Sequence, residues 1–205
     1  MTLKLEDSAL KELARCNPKG YLELLGVFDY LKIQPDKLSS LQTEFLDYKS
    51  KVSKVDSVID LKSVIAHIEN QSTNLRVIDF IRIGKYHFEL VYEHEKDVLT
   101  VITCSDIPKK KITELKILDI SRFTPLIVYF NEMDGKKILN NITIKVENEE
   151  KLNDLERAQL SIIPLFHIEK EEFIDLMVKA VDITTELKNP QKEIEEISCT
   201  IQVIK

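Results

Sequence analysis

Val64-Ile65-Ala66-His67-Ile68-Glu69-Asn70-Gln71-Ser72 runs from apolar and β-branched residues into a polar end. This is the pattern of a short strand that projects Glu69 and Gln71 from one face at its tip. Upstream, Val52-Ser53-Lys54-Val55-Asp56-Ser57-Val58-Ile59 reads as a second strand. Leu61-Lys62-Ser63-Val64 is a hairpin turn between them, without the glycine of the strongest turn signals. With the turn centred on Lys62-Ser63, Asp60 faces Ile65 and Asp56 faces Glu69. Two carboxylates directly opposite, with Cβ atoms about 5 Å apart, repel unless something positive lies between them. A divalent metal is the simplest candidate. A register shift of two keeps both acids on one face, whereas a slip of one separates them. The same spacing also fits a solvated hairpin whose acids face water.

The bulk composition sets limits on what such a pair could serve. The chain has 205 residues, 43% hydrophobic and 31% charged, which suits one sizeable globular domain. Four glycines, and no glycine-rich phosphate loop of either common pattern, argue against nucleotide binding by those devices. A net charge of −6 disfavours a protein that coats nucleic acid by bulk electrostatics. A local basic groove with a metal could still hold a phosphodiester. Cys16, Cys104 and Cys199 are odd in number and widely spaced, as expected of reduced thiols rather than a disulfide framework or a zinc site. The polar start Met1–Asp7 and the absence of any span-length apolar run predict a cytoplasmic protein with no membrane partner.

Outward from the hairpin, residues 7 to 31 carry helical periodicity, with Leu10, Leu13 and Ala14 forming one stripe before Asn17-Pro18-Lys19-Gly20. Tyr21, Leu24, Leu25, Phe28 and Leu31 form a second stripe, and Leu38, Leu41 and Phe45 suggest a further short helix. After the hairpin, Ser72-Thr73-Asn74 leads into Leu75–Gly84. That segment reads as a helix with Leu75, Ile78 and Ile81 on its best apolar face, though its β-branched residues also suit a strand. Val98–Thr103 reads as a buried strand, and Leu115–Ile120 and Leu126–Phe130 as two more. Asn153–Leu160 and Lys170–Thr184 are predicted helices, the second with Phe173, Leu176, Met177, Ala180 and Val181 along one face. The order points to a mixed α/β domain with a helical C-terminal extension. Residues 1 to about 50 would be N-terminal helices, 52–130 the core and 131–205 the extension.

A strand with Asp, a turn, a strand ending Glu-x-Gln, then a helix bearing Arg and a buried strand resembles the PD-(D/E)XK nuclease superfamily. More narrowly, the chain is similar to the recombination-promoting nuclease or transposase branch, where Gln commonly replaces the last Lys. The residues that carry the likeness are Lys54-Val55-Asp56, then His67-Ile68-Glu69-Asn70-Gln71-Ser72, Arg76, and Asp97–Ile102. Asp134-Gly135-Lys136, Lys145–Asn148 and Ile163-Pro164-Leu165 add to it, over roughly Leu10 to Leu187. Asn70 and Phe80 stand where that branch more often has an apolar residue and a Tyr.

The resemblance implies a restriction-endonuclease-like mixed sheet flanked by helices, and a metal-dependent DNA endonuclease. Asp56 and Glu69 would be the carboxylate ligands of Mg²⁺ (or Mn²⁺), with the Asn70 carbonyl a third. Asp56, Glu69 and Gln71 would be the catalytic set, Gln71 orienting the attacking water. An amide is neither base nor cation, so the charge Lys usually supplies would be missing. Lys54, on the face of Asp56, would compensate, and Arg76 would hold a phosphate of the DNA partner. His67 shares the face of Glu69, either beside phosphate or simply hydrogen-bonded in place. Lys109-Lys110-Lys111 is the only run of three basic residues and fits a solvated loop or a backbone contact. The competing function, from a different class, is a catalytically silent interaction or regulatory module on the same fold. A homo-oligomer is compatible with either.

Overall fold

The computed structural model describes residues 2–33, 38–46, 52–105, 111–117 and 121–187. The chain forms two compact units, one of residues 1–32 with 130–205 and the other of residues 33–129.

The first unit is helical. Helix α1 (Thr2–Cys16) buries Ala9, Leu10, Leu13 and Ala14. It ends where Asn17 caps α2 (Pro18–Leu24): Pro18 occupies the first turn, and the Asn17 side chain accepts from the Gly20 amide at 3.0 Å. The short α3 (Val27–Leu31) follows a left-handed Gly26. Gly20 is a packing requirement, because a Cβ there would lie 2.0 Å from the Asp154 carbonyl oxygen.

The second unit is mixed α/β. Its strands are β1 (Ser39–Ser40), β2 (Glu44–Leu46), β3 (Val52–Lys54), β4 (Ser57–Asp60) and β5 (Val64–Gln71). Helix α4 (Val77–His94) then leads to β6 (Asp97–Cys104), β7 (Leu115–Ile117), β8 (Ser121–Phe123) and β9 (Leu126–Tyr129). Five of these build one sheet in the order β1-β4-β5-β6-β9. The β1-β4 and β4-β5 pairs are antiparallel, and β5-β6 and β6-β9 are parallel. Central strand β5 is buried from Ile65 to Glu69, as expected of a strand with neighbours on both edges.

Helix α4 is the crossover between the parallel strands β5 and β6. It packs Phe80, Ile83 and Leu90 against Ile65, Val58, Ile102, Phe123 and Tyr129 in two adjoining clusters. Asp79 begins the helix by accepting from the Arg76 amide at 3.0 Å, and Glu95 ends it in the left-handed conformation.

The remaining helices, α5 (Gly135–Glu147), α6 (Asp154–Ser161) and α7 (Phe173–Glu186), return to the first unit. Asp134 and Asn153 cap α5 and α6 by accepting from Lys137 and Glu156 amides. Leu176, Met177 and Ala180 of α7 are buried, whereas Phe173 at the start of the same stripe is exposed.

Several sequence expectations are corrected. The helix expected over Leu38–Phe45 is instead β1 and β2, which pair with β4 and β3. An available strand edge overrides three apolar residues at helical spacing. The strand expected from Val52 to Ile59 is two strands, interrupted at Val55-Asp56, that serve different sheets. The helix expected to close at Gly84 continues for ten residues, because Gly84 lies against the Phe123 ring rather than ending the helix. Its buried face is Phe80, Ile83 and Leu90, while Ile78 and Ile81 face outward. β7 ends at Ile117, and the rest of the expected strand to Ile120 lies outside the described residues, as do Lys109, Lys110 and the segment Ile197–Lys205. Helix α5 was not among the expected elements.

Candidate functional site

Asp56 and Glu69 meet at the end of the β4-β5 hairpin. The observed register pairs Ser57 with Ile68, Val58 with His67, and Asp60 with Ile65. This is the alignment that follows from a turn centred on Lys62-Ser63. One step beyond the last ladder pair, Asp56 stands opposite Glu69, and each carboxylate engages backbone beside the other. Glu69 Oε1 accepts from the Asp56 amide at 3.2 Å, and Asp56 Oδ2 accepts from the Asn70 amide at 2.8 Å. The local cause is the break at Val55-Asp56: the chain leaves β3, frees the Asp56 amide from any ladder, and turns it toward Glu69. Asp56 is half-buried and Glu69 is 4% exposed.

Behind Glu69 runs a polar line through the core between the sheet and α4. His67, fully buried, places Nε2 3.2 Å from Glu69 Oε1 and Nδ1 3.1 Å from Thr100 Oγ1. Thr100 Oγ1 lies 3.0 Å from Nδ1 of His87 on α4. A carboxylate accepts, so with Glu69 ionised His67 donates Nε2–H to it; a neutral His67 then accepts the Thr100 hydroxyl at Nδ1, which leaves the Thr100 oxygen to accept from His87 Nδ1–H. Burial, and second the neighbouring His67, hold the His87 imidazole below the usual histidine range. Arg82 of α4 places a guanidinium nitrogen 3.9 Å from Glu69 Oε2. Burial is the main cause that raises the Tyr86 phenol; Arg82 opposes the shift and Glu69 adds to it.

The other expected site residues are distributed less tightly. Asn70 uses its amide for Asp56 and its side-chain oxygen for the Thr103 hydroxyl at 2.8 Å, on the opposite face of β5. Gln71 turns its amide to Thr73 Oγ1 at 2.8 Å. Arg76 precedes α4 and pairs with Asp79 at 3.2 Å. Lys54 lies at the end of β3, which pairs with β2 outside the main sheet; it is exposed and pairs with Glu44 at 3.0 Å. Arg82 does lie beside the site. Its signal is the spacing to Tyr86, one turn on, along the edge of the buried stripe. Thr100 and His87 join only through the parallel β5-β6 register and the rotation of α4, which no local pattern encodes.

The donor set at the hairpin end is oxygen-only, suited to a hard cation such as Mg²⁺ or Mn²⁺ that retains several waters. Among the described residues no group of three or more His, Cys, Asp or Glu is arranged to hold a metal ion. Any cation there would depend on Asp56, Glu69 and backbone or solvent oxygen. Comparison with known protein families, with curated proteins and with solved structures finds no match to this chain.

Proposed function

We propose that the chain is a metal-dependent DNA endonuclease of the PD-(D/E)XK type, with a restriction-endonuclease-like core formed by β4, β5, α4 and β6. One observation carries this: Asp56 and Glu69 face each other at the open end of a hairpin, each held by backbone next to the other. Like charges so placed are costly in a sheet and are understandable where a cation is shared. The succession of antiparallel hairpin, crossover helix and parallel strand is the order the resemblance implies. Asp56 and Glu69 would hold Mg²⁺ or Mn²⁺, which when bound polarises a phosphoryl oxygen and lowers the pKa of a coordinated water. Gln71 would orient water, Arg76 would hold a flanking phosphate, and the Glu69 carboxylate would be kept in place by His67.

A second reading is a silent module on the same fold. It is favoured by the hydrogen bonds Glu69 already accepts from Asp56 and His67, with Arg82 nearby, and by the engagement of Gln71 with Thr73. Calorimetry with Mn²⁺ separates the two. The nuclease reading expects heat of binding from the wild type and its loss in Asp56→Ala. Plasmid nicking should fall by about 10²-fold or more in Glu69→Ala. No metal binding by the wild type, or equal nicking by both proteins, would leave the silent module.

A further inference from the structure

Helix α4 carries a second apolar stripe that faces away from the sheet. Ile78, Ile81, Phe88 and Tyr92 are 59%, 51%, 64% and 88% exposed. With Lys85 they recur at alternating intervals of three and four residues over the helix, the spacing of a seam between two paired helices. The two flanks of this seam differ. On one side lie Arg82, Glu89 and Glu93, so that with Lys85 the row is basic toward the helix start and acidic toward its end. On the other side lie Val77, Gly84 and Val91, with no charge.

We propose that this face binds a second copy of the chain, α4 against α4 in antiparallel orientation about a two-fold axis. Antiparallel pairing sets the charged flank of each copy beside the same flank of the other in reverse. Lys85 then meets Glu89 and Glu93 across the seam. Parallel pairing would instead set the charged flank against the uncharged one. The face is therefore self-complementary in the sense a two-fold interface requires. Lys85 now pairs with Glu89 one turn on, at 3.3 Å, and can exchange that partner for the Glu89 of the other copy. Its stem covers apolar surface in the seam while the ammonium reaches the rim. The helix spans about 27 Å, and one such face is smaller than the ~800 Å² per partner of a standard interface. The dimer is accordingly weak, with a Kd of roughly 10–100 µM. The proposal does not depend on nuclease activity.

Sedimentation equilibrium of the full chain, over a roughly hundredfold concentration range around that Kd, is the test. The apparent mass of the wild type should rise toward the dimer. Phe88→Glu, at an exposed position, should remain monomeric with an unchanged circular dichroism spectrum. Lys85→Glu and Glu89→Lys should each weaken self-association about tenfold or more, and their equimolar mixture should restore it. Should Glu89→Lys fail to fold, Glu93→Lys takes its place. A wild type that stays monomeric throughout overturns the proposal, as does a dimer that survives Phe88→Glu or a mixture no better than its components. Protection of Phe88 and Tyr92 from hydroxyl-radical labelling in dilute monomer would likewise overturn it, because another part of the chain would then cover the face.

Discussion

His67 is fully buried on the central strand, and both of its ring nitrogens have partners. A buried imidazole is tolerated only because Glu69 and Thr100 satisfy it, and they in turn depend on it. Replacing it with alanine opens a cavity and leaves a carboxylate and a hydroxyl short of partners. We expect His67→Ala to destabilise the chain by about 3 kcal/mol in urea unfolding. Loss of less than about 1 kcal/mol would show that water replaces the ring without cost. Cys104 gives a second check at this scale. Its thiol is buried among Leu75, Phe80 and Ile102, and burial pushes it up to about 11. At pH 8 the folded protein should leave Cys104 unalkylated by iodoacetamide, whereas the urea-unfolded chain should be labelled fully, as read by mass spectrometry. The sign of the linked pH effect follows. Between the ordinary thiol value and about 11 the unfolded chain loses a proton that the native state keeps, so stability falls as pH rises through that window.

Among the elements, the β4-β5 hairpin decides most. Its two central residues are Lys62 and Ser63, flanked by the Leu61 amide donating to the Val64 carbonyl at 2.9 Å. Lys62 has φ of 73°, a left-handed conformation that a lysine adopts at a cost. The Lys62 amide donates to Asp60 Oδ1 at 2.8 Å, which helps hold the turn without glycine. Lys62→Gly should therefore stabilise the protein by about 0.5–1 kcal/mol, seen as a higher urea midpoint at unchanged slope. A lower midpoint would mean that the lysine side chain matters more than the backbone strain. The register follows from the sequence only once the turn is centred on Lys62-Ser63. Apolar residues are consecutive at Val58-Ile59 and at Val64-Ile65-Ala66, and both faces of β4 and β5 are buried, so alternation by itself does not choose the alignment. Helix α4 was less legible. Its outward and inward faces both carry Ile, so periodicity alone chose the wrong one. Only packing against β5 and β6 distinguishes Ile83 from Ile81.

At the scale of the molecule, charge and connectivity matter most. The chain enters a helical unit, leaves it to build the mixed sheet over residues 33–129, and returns to the first unit from Phe130. The stretches read as N-terminal helices and as C-terminal extension thus share one unit. On the proposed function, an acidic chain of net charge −6 must hold DNA through few cations, here Arg82, 3.9 Å from Glu69, and Arg76 at the start of α4. The affinity for duplex DNA in Mn²⁺ should then fall with salt at a logarithmic slope of about −2, as for two phosphate contacts. A slope several times steeper, measured by fluorescence anisotropy, would place the binding surface elsewhere.

What the sequence by itself determined is local. The hairpin, the face shared by His67 and Glu69, the buried strand β6 and the amphipathic helices α1, α6 and α7 were legible in it. Each of these follows from periodicity, capping and turn chemistry within a few residues. Tertiary structure alone decided which side of α4 is inside, that Val52–Lys54 pairs away from the main sheet, and that Arg82, Thr100 and His87 converge on Glu69. Those outcomes depend on the competition between alternative burials across segments distant in sequence. That competition is settled by the free energy of the whole packed core and not by any one segment's preference.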